Sequence, residues 1–171
     1  MDSMRDIFIS KVIVNIGIGS NEQLLPNVKA LLKKLTGREG TATHSKKRDP
    51  SLKVRKGQII GAMVTLRKTE ALDVLKRTLD ANESKIKPSA IANNSLNFGI
   101  KEYIDISGMK YDPKIGMFGM NVNASFARKG ARVELRKRKR TKADVRHKRI
   151  TNSEIAEYMK KNFNVSLATE E

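Results

Sequence analysis

The order of hydrophobic periodicities along these 171 residues predicts a ferredoxin-like, RRM-like α+β fold: an antiparallel sheet with helices on one face, a basic hairpin loop and a basic C-terminal extension. Two observations carry this. Stretches of period two and of period 3.6 alternate in the order strand, helix, strand, strand, helix, strand. Each strand stretch also divides into an apolar parity and a polar parity, as a sheet covered on one side requires. With 39% apolar residues the chain can bury one sizeable core, and nothing marks a second, so residues 1–171 read as a single domain.

Residues 11–16 (KVIVNI) form a β-branched run of period two, the first strand. Leu24, Leu25, Val28, Leu31, Leu32 and Leu35 recur at helical spacing, with Pro26 suited to a first turn and Gly37 to a stop, so a helix ends near Thr36. Residues 41–46 predict a short strand and 58–67 (QIIGAMVTLR) a longer one, joined by a basic hairpin arm over 44–57. Thr69 is the expected cap of a second helix running to about Ala81, with Leu72, Leu75 and Leu79 as its apolar stripe. Strands over 95–103 and 118–126 follow, joined by a loop holding Gly108, Asp112, Pro113 and Gly116. Thr151 and Glu154 form a capping box before Ile155, Tyr158, Met159 and Phe163, so a last helix spans 151–163.

Strand parity predicts what the uncovered face holds. Val12, Val14 and Ile16 oppose Asn15; Ile60, Ala62, Val64 and Leu66 oppose Thr65 and Arg67. Leu96, Phe98 and Ile100 oppose Asn97, Gly99 and Lys101, while Met120, Val122, Ala124 and Phe126 oppose Gly119, Asn121, Asn123 and Ser125. A solvated face has the same alternation. Asn and Gly, however, are poor strand formers, whereas Asn donates and accepts in the way ribose, base edges and phosphate require, and Gly lets a backbone approach. With few aromatics there, the expected mode is contact with a folded RNA helix rather than stacking of single-stranded bases.

Charge points to the same class of partner. The net charge is +17, and between residues 128 and 149 twelve Lys and Arg stand against Glu134 and Asp144. Arg128, Arg132, Arg136, Lys137, Arg138, Lys139, Arg140, Arg146, Lys148 and Arg149 are the candidate phosphate contacts there, giving affinity that is strong, salt-sensitive and nearly blind to base sequence. The arm adds Lys46, Lys47, Arg48, Lys53, Arg55 and Lys56 around an Asp49-Pro50 turn, a loop suited to a second nucleic acid or simply to solvent.

Several chemistries are excluded. The chain has no Cys, hence no disulfide, thiolate metal site or cysteine nucleophile, which fits a reducing compartment such as the cytosol. The N-terminal stretch MDSMRDIFISKV has neither the basic flank nor the apolar run of a signal peptide or membrane span. Gly17-Ile18-Gly19 lacks the third glycine and the acidic partner of a dinucleotide site and reads as a tight turn. His44 and His147 have no second ligand at metal spacing, and Asp105 and Asp112 read as turn residues. No metal, no cofactor and no catalytic group is expected. An enzyme acting on RNA and an architectural protein on duplex DNA remain as alternatives by charge, the first lacking a cofactor or metal pocket and the second a uniformly basic recognition helix.

The segments KVIVNIGIG, LLKKLTGRE, the SKK and KVRKG arm, GAMVTLRK, NFGIKEYIDISGMKYDPKIGMFGMNV and RKRKR, spread over nearly the whole chain, resemble the universal large-subunit ribosomal protein five family in its archaeal form. The resemblance implies a non-catalytic protein of the central protuberance that binds 5S ribosomal RNA with its free sheet face. Asn15 in VNIG and Thr65 and Arg67 in VTLR are the contacts carried over by motif, joined by Arg38, Asn97, Lys101, Asn121 and Asn123. Arg38 stands where many family members have Gln after Thr-Gly, which implies a phosphate contact at that position in place of a base contact. The resemblance further implies that the arm, 45–56, reaches the P-site transfer RNA. Other implied partners are large-subunit ribosomal RNA and neighbouring ribosomal proteins, including one of the small-subunit head through an inter-subunit bridge, with a cytoplasmic location and no membrane.

Overall fold

The first strand starts four residues earlier than its apolar run and forms the spine of the sheet. Chain order is β1 (Ile7–Gly17), α1 (Leu25–Thr36), β2 (Thr41–His44), β3 (Ile59–Leu66), α2 (Lys68–Ala81), β4 (Lys85–Ile86), β5 (Ile91–Ala92), β6 (Ser95–Ile100), β7 (Met120–Arg128), α3 (Arg132–Leu135), α4 (Asn152–Phe163) and β8 (Ser166–Leu167). The computed structural model describes residues 3–142, 144, 147 and 149–167. Six strands make one sheet in the order β2-β3-β1-β7-β6-β5, every pairing antiparallel, and β4 and β8 make a separate parallel pair. The β2-β3-β1-β7 part has the ferredoxin-like order expected, with β7 as the fourth strand, and the β5–β6 hairpin extends the sheet beyond it.

The helices cover one face. Val12, Val14, Ile16, Val28, Leu31, Leu32, Leu66, Leu75 and Leu96 are completely buried in one continuous core, each large side chain stabilising the fold by about 1.5–3 kcal/mol through burial. Helix α1 begins as expected with Pro26 in its first turn. It ends at Gly37, whose φ of 73° is the left-handed conformation that a residue without Cβ adopts freely, and the Gly37 N–H donates to the Lys33 carbonyl at 2.8 Å. Helix α4 has the expected capping box, with Thr151 and Glu154 each accepting from the other's backbone N–H.

Helix α2 departs from expectation. It starts at Lys68 with the extended Arg67 before it, so Thr69 lies inside the first turn and no side chain caps the end. Its inward face is Ala71, Val74, Leu75, Thr78 and Leu79, and Leu72 is exposed, because the helix is rotated relative to a pure leucine stripe. The buried Thr78 hydroxyl donates to the Val74 and Leu75 carbonyls, so its own polarity is satisfied inside the helix. The strand expected over 95–103 stops at Ile100, and Tyr103, fully buried, sits in a 3-10 turn. No helix among the described residues is long and apolar enough to cross a membrane.

Candidate nucleic-acid interface

Cross-strand register converts the polar parities into rows on the face opposite the helices. One row runs Thr41, Met63, Asn15, Asn121, Gly99 from β2 to β6. The next runs Thr65, Ile13, Asn123, Asn97, and a third Lys11, Ser125, Ser95. At about 4.8 Å between strands, the first row spans roughly 19 Å. Arg67, extended and one residue past β3, continues the same parity, as does Lys101 past β6. The strand positions of this face include no Asp or Glu, although the chain has 18.

The amides divide into two groups. Asn97 and Asn123 are hydrogen-bonded to each other, the Asn123 amide nitrogen donating, and Asn97 donates to the Ser95 hydroxyl at 3.3 Å. These bonds orient amides whose remaining donors and acceptors face outward. Asn15, Thr65 and Asn121 make no side-chain hydrogen bond among the described residues and stand with their capacity unused. Arg67 and Lys101 likewise form no ion pair among them, so two cations flank a neutral, hydrogen-bonding surface.

Two glycines of this face are required by the protein's own packing. A Cβ on Gly61 would collide with the Ile16 carbonyl oxygen, and one on Gly119 would lie 2.9 Å from the Lys101 carbonyl oxygen. On Gly99 it would meet the Asn121 side-chain oxygen at 3.3 Å. Neighbouring carbonyl oxygens thus leave no room for a side chain at 61 and 119, while at 99 the neighbour is the Asn121 amide.

Arg38 does not join the rows. Its guanidinium pairs with Glu70 of α2, Nε to Oε2 at 2.7 Å and an Nη to Oε1 at 3.0 Å, on the helical side of the molecule. Arg128 is a second correction. Its even parity on β7 turns it toward the helices, where one Nη bridges both carboxylate oxygens of Glu154 at 2.7 and 2.9 Å with the side chain only 11% exposed. A cation so enclosed by its own carboxylate holds α4 to β7 and is not presented to an outside phosphate.

The basic stretch after it is a bracketed excursion, not a tail. Lys129 pairs with Asp6 at 2.8 Å and the His147 ring lies 2.9 Å from the Lys129 carbonyl. At the far end Ile150 is buried and its N–H donates to Asn94 Oδ1 at 3.1 Å. Between these anchors Arg132, Arg136, Lys137, Arg138, Lys139, Arg140 and Arg149 are exposed. Arg146 and Lys148 lie outside the described residues.

The arm is an ordered hairpin. Asp49 and Val54 exchange both backbone hydrogen bonds at 3.0 Å, and Asp49 accepts from the Ser51 N–H and hydroxyl, bonds that hold its carboxyl below the usual carboxylate range, the hydroxyl contributing most. Gln58 ties the base of the arm to the turn after β1 by donating to the Ser20 carbonyl at 3.3 Å. Lys46, Lys47, Arg48, Lys53, Arg55 and Lys56 are all exposed, and none forms an ion pair among the described residues.

Sequence reasoning missed Lys11, Ile13, Thr41, Thr43 and Met63 on the open face. Extending the parity count to both ends of each strand and to β2 finds them. It also missed the clamp that orders the loop between β6 and β7. Lys34 of α1 pairs with Asp112, holding that carboxyl below its usual range; Asn27 donates to the Lys114 and Ile115 carbonyls; and the Asp112 N–H donates to the Tyr103 hydroxyl at 3.1 Å. These partners are 78 to 88 residues apart along the chain in the helix-to-loop bonds, so no local pattern marks them. Among the described residues no group of acids and histidines is assembled to hold a metal.

Comparison with known proteins agrees over nearly the whole length. Residues 59–159 match the family described as the C-terminus of the ribosomal L5 family. Large ribosomal subunit protein uL5 of Pyrobaculum aerophilum is 39% identical over 165 residues, covering 96% of this chain and 92% of the relative. Its counterpart in Methanobrevibacter smithii is 39% identical over 171 residues, covering 99% and 100%, and that of Nanoarchaeum equitans 41% identical over 165 residues, covering 96% and 97%.

Proposed function

The chain belongs to the uL5 family of large-ribosomal-subunit proteins in its archaeal form, a structural constituent of the cytoplasmic ribosome, and from that premise we propose that its open sheet face binds 5S ribosomal RNA. The observation that supports this reading is the pair of cross-strand rows in which Asn15, Asn121, Asn123, Asn97 and Thr65 stand side by side without an acidic neighbour, between Arg67 and Lys101. A duplex groove and its ribose hydroxyls offer a matching array of donors and acceptors, and the sheet presents its own without rearrangement. The arm, 45–56, is proposed to contact the P-site transfer RNA through the exposed cations on its hairpin. The excursion between Lys129 and Arg149 neutralises phosphates of large-subunit ribosomal RNA, and the surface outside these regions meets neighbouring ribosomal proteins, including one of the small-subunit head. Arg38, paired with Glu70, leaves the list of 5S contacts in this reading, and Arg128 leaves the list of phosphate contacts.

The test is a mobility-shift titration of transcribed archaeal 5S ribosomal RNA with the wild type and with Asn15→Ala/Thr65→Ala. Loss of two satisfied hydrogen bonds predicts weakening by about 1–3 kcal/mol. Unchanged affinity of a folded double variant would contradict the sheet-face assignment.

A further inference from the structure

One residue of the open face is there only because β1 is irregular. Counting back from Ile16, Val14 and Val12, an unbroken strand would put Ser10 and Phe8 in the core and Ile9 outside. A register shift between Ile9 and Lys11 in the β1–β7 pairing reverses this: Ile9 pairs with Phe126 and is buried, while Phe8 pairs with Ala127 and is 41% exposed on the polar face. A bulge disrupts the ladder locally and re-aims side chains, and such irregularities gather next to functional sites. Here its effect is to place an aromatic ring beside the row of Lys11, Ser125 and Ser95. The other aromatics among the described residues lie elsewhere. Tyr103 and Phe126 are buried, Phe98, Phe118, Tyr158 and Phe163 pack against the core, and Tyr111 is on the loop after β6.

We infer that Phe8 is a stacking platform for one unpaired nucleobase of the RNA held on the open face, an inference that rests on the RNA-binding reading of that face. The partner opposite is Ala127, whose methyl leaves the ring face uncovered from that side, and Lys11 stands next along the strand, where the phosphate of a splayed nucleotide falls. Asp6, two residues back along the chain, is engaged by Lys129. A flat hydrocarbon ring takes any base by its π face without reading its edge, complementing the amide rows, which offer hydrogen bonds and no stacking surface. The bound RNA is therefore not a flush duplex across this end of the sheet; it presents an extruded nucleotide there.

The chain contains no Trp, so Phe8→Trp introduces a single reporter at the platform. Titration with 5S ribosomal RNA is expected to quench the emission of the introduced indole in step with complex formation followed by mobility shift, and a fully paired RNA duplex of similar length is expected to leave it unquenched. Emission that stays constant, or shifts without quenching, at saturating 5S RNA overturns the inference. Phe8→Leu keeps the apolar bulk and loses the π face, so it is expected to weaken 5S binding about tenfold at an unchanged thermal midpoint. Wild-type affinity of this variant also overturns the inference. Failure of the underlying reading is distinct: it appears as wild-type affinity of Asn15→Ala/Thr65→Ala, whatever the emission does.

Discussion

On the open sheet face, backbone register sets where every functional group stands; Asn15 and Asn121 are neighbours because β1 and β7 pair at that position. Between Lys129 and Arg149 the chain is held at its two ends, by Lys129 with Asp6 and by Ile150 with Asn94, while Arg136 to Arg140 stand in water. The face has hydrogen-bonding capacity and little charge. The excursion has charge, with Arg136, Lys137, Arg138, Lys139 and Arg140 in an unbroken exposed run. Fixed spacing discriminates between RNAs, whereas charge density raises affinity for all of them in a salt-dependent way; under the proposed function recognition belongs to the face and attraction to the excursion.

Breaking the geometry of the face is expected to have the largest effect. Gly61→Ala sets a methyl against the Ile16 carbonyl oxygen between β1 and β3 and is expected to cost about 3 kcal/mol of stability in chemical denaturation. A variant as stable as wild type would show that the strands are not coiled so tightly there. Arg67→Ala leaves the fold intact and removes one flanking cation. It is expected to weaken 5S RNA binding by about 2 kcal/mol in a titration at fixed salt, with a smaller loss on unrelated RNA.

The border between the two regions offers a subtler break. Arg128→Met removes the guanidinium from Glu154, which keeps its Thr151 backbone bond, and is expected to lower stability by about 1–2 kcal/mol, a figure reduced because Glu154 is 40% exposed. The Glu154 carboxyl is held below its ordinary range, first by the Thr151 backbone N–H and then by the Arg128 guanidinium, with burial opposing both. A carboxyl depressed in the folded state contributes stability above its unfolded pKa, about 4.3, and loses that contribution as pH falls through the folded value. Thermal midpoints should therefore drop less steeply on acidification in Glu154→Gln than in the wild type, a difference of under about 1 kcal/mol. Parallel curves would remove Glu154 from the acid response. The smallest change in discrimination is expected from Lys137→Ala/Lys139→Ala, which should reduce the slope of log affinity against log salt by about one per lost phosphate contact, on specific and unrelated RNA alike.

Much of this architecture is legible from residues alone. Alternation in KVIVNI and GAMVTLRK identifies both the strands and the buried parity, and Thr151 with Glu154 marks the start of α4, because strand period and capping are local properties. Four features needed the third dimension. Register shifts such as that at Ser10 follow from pairing with β7 and invert parity upstream, so Phe8, which an unbroken strand would bury, stands on the surface in the fold. Whether a cation faces solvent or its own acid depends on partners brought in from afar: Glu154 for Arg128, 26 residues on, and Glu70 for Arg38, 32 residues on. Gly61 and Gly119 stand against carbonyl oxygens of neighbouring segments, which composition does not reveal. The run of charge after Arg128 looks like a tail until Ile150, Ile155 and Met159 are seen to return to the core.

Whether the sheet face discriminates while the basic segments attract is decided by binding of the purified protein to folded 5S ribosomal RNA and to an unrelated structured RNA of equal length across a salt series. Affinity for 5S RNA is expected to persist at salt concentrations that abolish binding of the competitor. Two curves that fall together would show that only the basic segments bind, and would contradict the assignment of recognition to the open face.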